Sequence, residues 1–141
     1  MALENFNELS EILRLGGVVS DRSKVFWTTN AQMPTSAPTT SPKAIIQLVR
    51  GGGGSDEFVQ NSFDADFVTP TFQVNVRGWI AGDVETMALL AHKVFGRVRN
   101  QTVLGTFYRE IRCLQPPVDS GKDDATRILY RFNIRAIKRP S

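Results

Sequence analysis

The stretch RILYRFNIRAIKR, residues 127–139, decides the fold of this 141-residue chain. Its apolar and polar side chains alternate, which is the period-two pattern of a β-strand with one buried face. The apolar face consists of Ile128, Tyr130, Phe132, Ile134 and Ala136. The polar face consists of Arg127, Arg131, Asn133 and Arg135. We therefore predict a strand in a sheet that has one apolar side and one basic side.

Strand patterns also occur in four other segments of the chain. The segment FQVNVRGW (72–79) alternates in the same way, with Arg77 on its outward face. Shorter apolar runs stand at 24–30 and 44–50, and a longer one with an irregularity stands at 103–115. The turn at 116–124 is too short for a parallel crossover, so we expect residues 103–139 to form an antiparallel hairpin.

Two segments have the spacing of amphipathic helices. The first runs from Asn5 to Leu15 and stops at two glycines. The second runs from Asp83, a good N-cap residue, to about Arg99. We predict an α+β domain: one mixed, mainly antiparallel sheet of about four to five strands, with both helices packed on one face. The residues expected in its core are Val74, Val76, Val94, Ile128, Phe132 and Ile134.

A run of four glycines and a serine, Gly51, Gly52, Gly53, Gly54 and Ser55, matches the unit of an engineered flexible linker. Neither side of this run has enough strands and helices to fold alone, and the run directly follows a strand. We therefore favour a native glycine loop inside one domain that covers residues 1–141. Two segments of this domain lack a core pattern of their own: a Pro-rich arm at 31–42, with Pro34 and Pro38, and a long loop at 51–70.

Composition limits the classes of protein to which the chain can belong. Cys113 is the only cysteine, so no intrachain disulfide exists. No apolar run reaches the ~20 residues of a membrane helix, and the first fifteen residues lack the pattern of a signal peptide. We expect a soluble intracellular protein without a membrane partner. The net charge of +3 permits a polyanionic partner but does not require one.

Catalytic and metal-binding patterns are weak. The glycine run lacks the Lys-Ser or Lys-Thr and the helix of a phosphate-binding loop. Cys113 and His92 suggest a nucleophile and a base by residue type alone, and a core cysteine beside an exposed histidine is the simpler interpretation. Asp119, Asp123 and Asp124 crowd one turn without the spacing of a calcium loop. We predict no catalytic residue, no metal site and no cofactor.

The arginines are the candidate interaction residues. Arg127, Arg131 and Arg135 share one face of their strand, and Arg77 points outward on another strand. A solvated sheet face is the simplest explanation. The alternatives are a face that lies against DNA, bound without sequence preference, and a face that lies against a neighbouring subunit. No stacking aromatic side chains interleave with these arginines, which argues against base recognition.

The order of these features resembles the tail terminator (tail-completion, or minor capsid) proteins of long-tailed double-stranded DNA bacteriophages. The resemblance begins with a helix that ends at glycine in LSEILRLGG and continues with KVFWTTNAQMPTSAP and AIIQLVRGGGG. Its most distinctive part is Gln73, Val76, Arg77 and Gly78 in FQVNVRG, which leads into a helix. It closes on a hairpin with Gly121, Asp123, Tyr130 and Asn133. The expanded glycine run departs from the family pattern.

The resemblance implies a structural role rather than an enzymatic one. Such proteins form a ring, usually of six subunits, on the last ring of the tail tube, stop its growth and present a surface to the head-side connector. Expected partners are therefore other copies of the chain, the tail tube protein, the head-completion protein and genomic DNA in the lumen. The expected location is the virion tail or neck, and the host cytoplasm during assembly. The loop residues Gly51–Gly54, Pro34 and Pro38 are candidates for subunit contacts, as are the four arginines. Alternatives are a neck or head-closure protein of the same virion, and a small basic nucleic-acid-binding module.

Overall fold

The computed structural model describes residues 2–20, 25–27, 44–50, 67–122 and 128–139. Two helices and seven strands follow one another along these residues. Their bounds are α1 (Ala2–Leu15), β1 (Val25–Trp27), β2 (Ala44–Arg50), β3 (Thr71–Gly78), α2 (Ala81–Gly96), β4 (Arg99–Val103), β5 (Thr106–Cys113), β6 (Val118–Lys122) and β7 (Ile128–Lys138). The predicted α+β class and the single sheet are confirmed.

The sheet is built around β7, the strand that the alternating pattern predicts most strongly. The strand order is β1-β2-β3-β7-β5-β4, and β6 pairs with β7 off this path. Strand β3 pairs with the first eight residues of β7, while β6 and β5 pair along its other side, near its start and its end respectively. Only β1 and β2 are parallel among these pairs, so the sheet is mixed and mainly antiparallel, as predicted.

Both helices pack on the same face of the sheet, which we call the inner face. Helix α2 buries Val84, Met87, Ala88, Ala91 and Phe95, and Phe95 meets Phe132 of β7 in an edge contact with 6.5 Å between ring centroids. Helix α1 contributes Leu9, Ile12 and Leu13 to the same core. The predicted core residues Val74, Val76, Phe132 and Ile134 are buried, whereas Val94 and Ile128 are half-buried and pack against the core from its margin.

A buried ion pair attaches α1 to the far end of the sheet. The Glu8 carboxylate accepts hydrogen bonds from the hydroxyl of Thr106 and, at 2.7 Å, from the hydroxyl of Tyr108. The Lys138 ammonium lies 3.3 Å from the same carboxylate, and both side chains are about 95% shielded from solvent. Burial, helped by the adjacent Glu8 carboxylate, raises the pKa of Tyr108. Lys138, at the basic end of β7, therefore lies on the inner face beside Glu8.

The sheet has more strands than the predicted four to five. The segment 103–115 is not one strand: the chain turns at Leu104 and Gly105, which both have positive φ, so β4 and β5 form a tight hairpin. A further strand, β6, lies inside the predicted turn at 116–124. Strands β4 and β6 are hard to recognise in the sequence because both are mostly polar and neither alternates clearly between buried and exposed residues.

The second helix begins and ends earlier than predicted. Its N-cap residue is Ile80, which forms no side-chain capping bond. Asp83 lies in the first turn, where its negative charge interacts favourably with the positive end of the helix dipole. The helix ends at Gly96 rather than near Arg99. No helix among the described residues is both long and apolar enough to cross a membrane.

The two sides of the glycine run meet in one sheet. Strand β2, which precedes the run, pairs with β3, which follows it, from Ala44↔Gly78 to Arg50↔Phe72. The run itself, Gly51–Gly54, lies outside the described residues, as do Pro34 and Pro38 of the predicted arm.

Candidate interaction surface

The outer face of the sheet, opposite the helices, carries a network of amide and arginine side chains. Gln47 of β2, Asn75 of β3 and Arg131 of β7 are direct neighbours across the three strands. Arg131 donates from Nε to the Asn75 side-chain oxygen at 2.9 Å, and Asn75 donates to the Gln47 side-chain oxygen at 3.3 Å. Arg77 donates to that same oxygen at 2.7 Å. We call these four residues the amide–arginine network.

This network divides the predicted interaction residues into two groups. Arg77 and Arg131 do lie on the outer face, but they are half-buried and donate to side chains of their own sheet. Asn75 is only 2% exposed, although its position is on the polar face. Arg135, in contrast, is exposed. Arg127 lies outside the described residues. Of the four predicted arginines, Arg135 is therefore the one that the described structure presents to solvent.

A second set of arginines surrounds Arg135 near the end of β7. We define the arginine surface as Arg109, Arg112, Arg135 and Arg139, all of which are exposed. Arg112 and Arg135 are direct cross-strand partners on β5 and β7. Like charges in this relation repel one another, so the pair is unfavourable unless an anion lies nearby.

Aromatic rings hold the other two guanidinium groups of this surface. Arg109 and Arg139 lie over the ring of Phe67, at 5.8 Å and 5.6 Å from its centroid. Arg139 also lies 5.8 Å from the centroid of Phe107, and the two rings are 6.4 Å apart. The planar guanidinium of Arg139 lies on these aromatic faces with its N–H groups directed along the plane, which is the geometry in which arginine meets an anion. Because these guanidinium groups cover the rings of Phe67 and Phe107, the two rings are not open for stacking with nucleic-acid bases.

One carboxylate lies within the arginine surface. Glu110, the only acidic residue of β5 and β7, accepts hydrogen bonds from Nε and Nη2 of Arg112 at 3.0 Å and 3.4 Å. The hydrogen bond from Arg112 lowers the pKa of Glu110, and the charges of Arg112, Arg99 and Arg109 lower it further. Among the described residues, the four arginines of this surface outnumber its one glutamate, so positive charge is in excess there.

The sequence pattern did not reveal Arg109 and Arg112 as members of this surface. A register shift between Tyr108 and Glu110 moves β5 out of simple alternation, so parity counted along the sequence fails there. Arg112 lies next to Arg135 because β5 pairs with β7, and no local sequence pattern predicts that pairing.

The pair suggested by residue type, Cys113 and His92, does not form a nucleophile and base. The Cys113 thiol lies 3.4 Å from the backbone oxygen of His92, not from its ring, and the ring packs against Phe132 at 5.3 Å. Burial raises the pKa of Cys113 to about 11. Within the described ranges, no group of three or more His, Cys, Asp or Glu side chains has the arrangement of a metal site. Asp119 accepts a hydrogen bond from the Gly121 amide, and Asp123 and Asp124 lie outside those ranges.

A scan against protein-family models finds no matching family, and a search of curated proteins finds no matching relative.

Proposed function

We propose that this chain is a structural virion protein that forms a ring on the end of a phage tail tube, stops the polymerisation of the tube and joins the tail to the head-side connector. The observation that carries the proposal is the arginine surface on a sheet whose two described helices lie on the other side. A ring needs a subunit with a surface that contacts a different surface of the next copy. The order of helices and strands that resembles tail terminator proteins supports the same role.

The sheet supplies further material for contacts between subunits. Among the described strands, β1 and β4 end the sheet, and each pairs with one strand of the sheet. End strands of this kind can accept a strand from a neighbouring molecule. The tail tube protein and the head-completion protein are the proposed partners on the two sides of the ring, which usually contains six subunits in the family.

Genomic DNA passing through the ring is the remaining proposed partner. DNA that passes through a ring has to slide, so we expect this contact to involve the phosphate backbone and to be independent of base sequence. The proposed location is the tail or neck of the virion, and the host cytoplasm during assembly.

The arginine surface also favours a second candidate function, a small basic nucleic-acid-binding module. Such a module would act as a monomer, and its affinity for DNA would fall steeply with added salt. A neck or head-closure protein of the same virion would form assemblies without ending tube growth. These candidates therefore differ in oligomeric state and in their effect on the tube.

Two measurements on the purified full-length chain test the proposal. Negative-stain electron microscopy should show rings with a central hole, and adding the chain to polymerising tail tube protein should shorten the tubes in proportion to its concentration. Bovine serum albumin at the same concentration is the control. Uniform monomers with salt-sensitive DNA binding would support the nucleic-acid module instead, and rings that leave tube length unchanged would support a neck protein.

A further inference from the structure

We propose that the arginine surface of one copy binds an acidic cluster on the next copy, so that the subunits contact one another head to tail. The acidic cluster consists of Glu85 at the start of α2 and Asp119 of β6. This inference rests on the proposed ring function and assigns the chemistry of its subunit contact.

Tyr130 of β7 holds the acidic cluster together. Its hydroxyl donates to Glu85 at 3.0 Å, and Asp119 is its direct cross-strand partner on β6. The hydrogen bond to Glu85 raises the pKa of Tyr130, and the charges of Glu85 and Asp119 add to the effect. Both carboxylates are therefore close to one phenol, and both belong to exposed residues. Asp123 and Asp124 follow in the sequence, outside the described residues.

The acidic cluster and the arginine surface lie at opposite ends of β7 and on opposite faces of the sheet. Tyr130 lies near the start of the strand on the inner face, while Arg135 and Arg139 lie five and nine residues further on. At a rise of about 3.4 Å per residue this separates them by roughly 17–31 Å. A two-fold contact would have to bring both patches into one interface, and patches on opposite faces do not allow this. Successive copies in a ring can satisfy both patches.

Glu110 illustrates the kind of carboxylate contact that we propose between copies. Arg112 already holds this carboxylate with two nitrogen atoms, so the surface shows within one chain how a carboxylate is bound. Carboxylates from the next copy would lie beside Arg135, whose cross-strand neighbour is another arginine. Their charge would offset that of Arg135, as Glu110 offsets that of Arg112.

The experiment reverses the charge of each patch in the full-length chain. One variant combines Arg112→Glu with Arg135→Glu, and the other combines Glu85→Lys with Asp119→Lys. The control combines Lys93→Glu with Arg97→Glu, which makes the same charge change as the first variant at exposed positions of α2 and the residue after it. Circular dichroism and thermal unfolding establish that each variant is folded. Assembly is measured by sedimentation velocity over a range of protein concentrations.

Each patch variant should raise the protein concentration for half-assembly by about 100-fold or more, because like charges then face one another across the contact. The control should assemble within about 3-fold of the wild type, since isolated surface charges have small effects. An equimolar mixture of the two patch variants should assemble again, because every contact in an alternating ring is then either native or fully reversed.

Four results would overturn the inference. Wild-type rings whose assembly is unchanged in both patch variants would contradict it and leave the proposed ring function intact. Patch variants that stay apart when mixed would show that the two patches are not partners. Loss of binding to a fluorescent DNA duplex in the arginine variant, with normal assembly, would assign the arginine surface to DNA. A wild-type chain that stays monomeric at low salt would overturn both this inference and the ring function.

Discussion

Arg131 donates a 2.9 Å hydrogen bond from its Nε to the side-chain oxygen of Asn75, its direct neighbour across β7 and β3. Asn75 is 2% exposed and donates its own amide to Gln47, so the three side chains form a continuous row over three strands. Arg131 is therefore part of the packing of the sheet, and its removal affects the stability of the chain itself.

Arg131→Ala should lower the free energy of unfolding by about 1–3 kcal/mol, because it leaves the buried Asn75 oxygen without its donor. Arg135→Ala is the matched control on the same strand and face. Arg135 is exposed, so its removal should change stability by less than about 0.5 kcal/mol. Urea unfolding followed by circular dichroism measures both. Equal losses in the two variants would contradict the role given to the amide–arginine network.

Glu8→Ala should lower the free energy of unfolding by about 3–5 kcal/mol, since it removes the buried carboxylate that faces the buried Lys138 charge. Lys138→Met should be destabilising for the converse reason. The double variant Glu8→Ala with Lys138→Met should lose less than the sum of the single changes, because neither buried charge remains. Glu11→Ala, which removes an ion pair with the exposed Arg14 of the same helix, should cost less than about 1 kcal/mol. Additive losses in the double variant would show that the pair is not coupled.

The sequence pattern predicted the parts of the fold that depend on local alternation. Phe132 and Ile134 lie in the core as expected, and Arg131 and Arg135 lie on the opposite face. Burial on that opposite face was not predictable, because it depends on which side chains are neighbours across the strands. The Glu8–Lys138 pair joins residues 130 positions apart, and no local pattern encodes such a contact.

Phe132→Ala should lower the free energy of unfolding by about 3–5 kcal/mol if the surrounding core cannot close over the space. The ring is fully buried and contacts Phe95 and His92 of α2 from the centre of the sheet. Tyr130→Phe, two residues away on the same face, removes one exposed hydrogen bond and serves as the control. Guanidinium unfolding at 25 °C measures both variants. A loss under about 1 kcal/mol for Phe132→Ala would contradict the central position of this ring.

Cys113 should react slowly with iodoacetamide at pH 8 in the folded chain. Burial raises the pKa of its thiol from 9.0 to about 11, so the reactive thiolate is scarce until the pH approaches that value. Unfolding returns the pKa towards 9.0, so the unfolded chain binds fewer protons between pH 9 and 11 and this thiol makes the fold less stable as the pH rises. Mass spectrometry of alkylation from pH 7 to 11, with and without urea, measures the difference. Equal rates in the two conditions at pH 8 would contradict the shielding of the thiol.

The contact between Gly16 and Val94 gives a prediction about how α1 lies against α2. A Cβ atom at Gly16 would lie 2.5 Å from both Cγ atoms of Val94, so Gly16→Ala forces the two helices apart and should cost about 1–3 kcal/mol. Val94→Ala removes both Cγ atoms, so the double variant should lose less than the sum of the two single losses. Gly82→Ala is the control: its Cβ would meet nothing within 4 Å, and alanine in the first turn of α2 should be neutral or stabilising by up to about 1 kcal/mol. Thermal unfolding of the four variants measures these differences. If Gly16→Ala were as stable as Gly82→Ala, the close approach of the two helices at this point would be wrong.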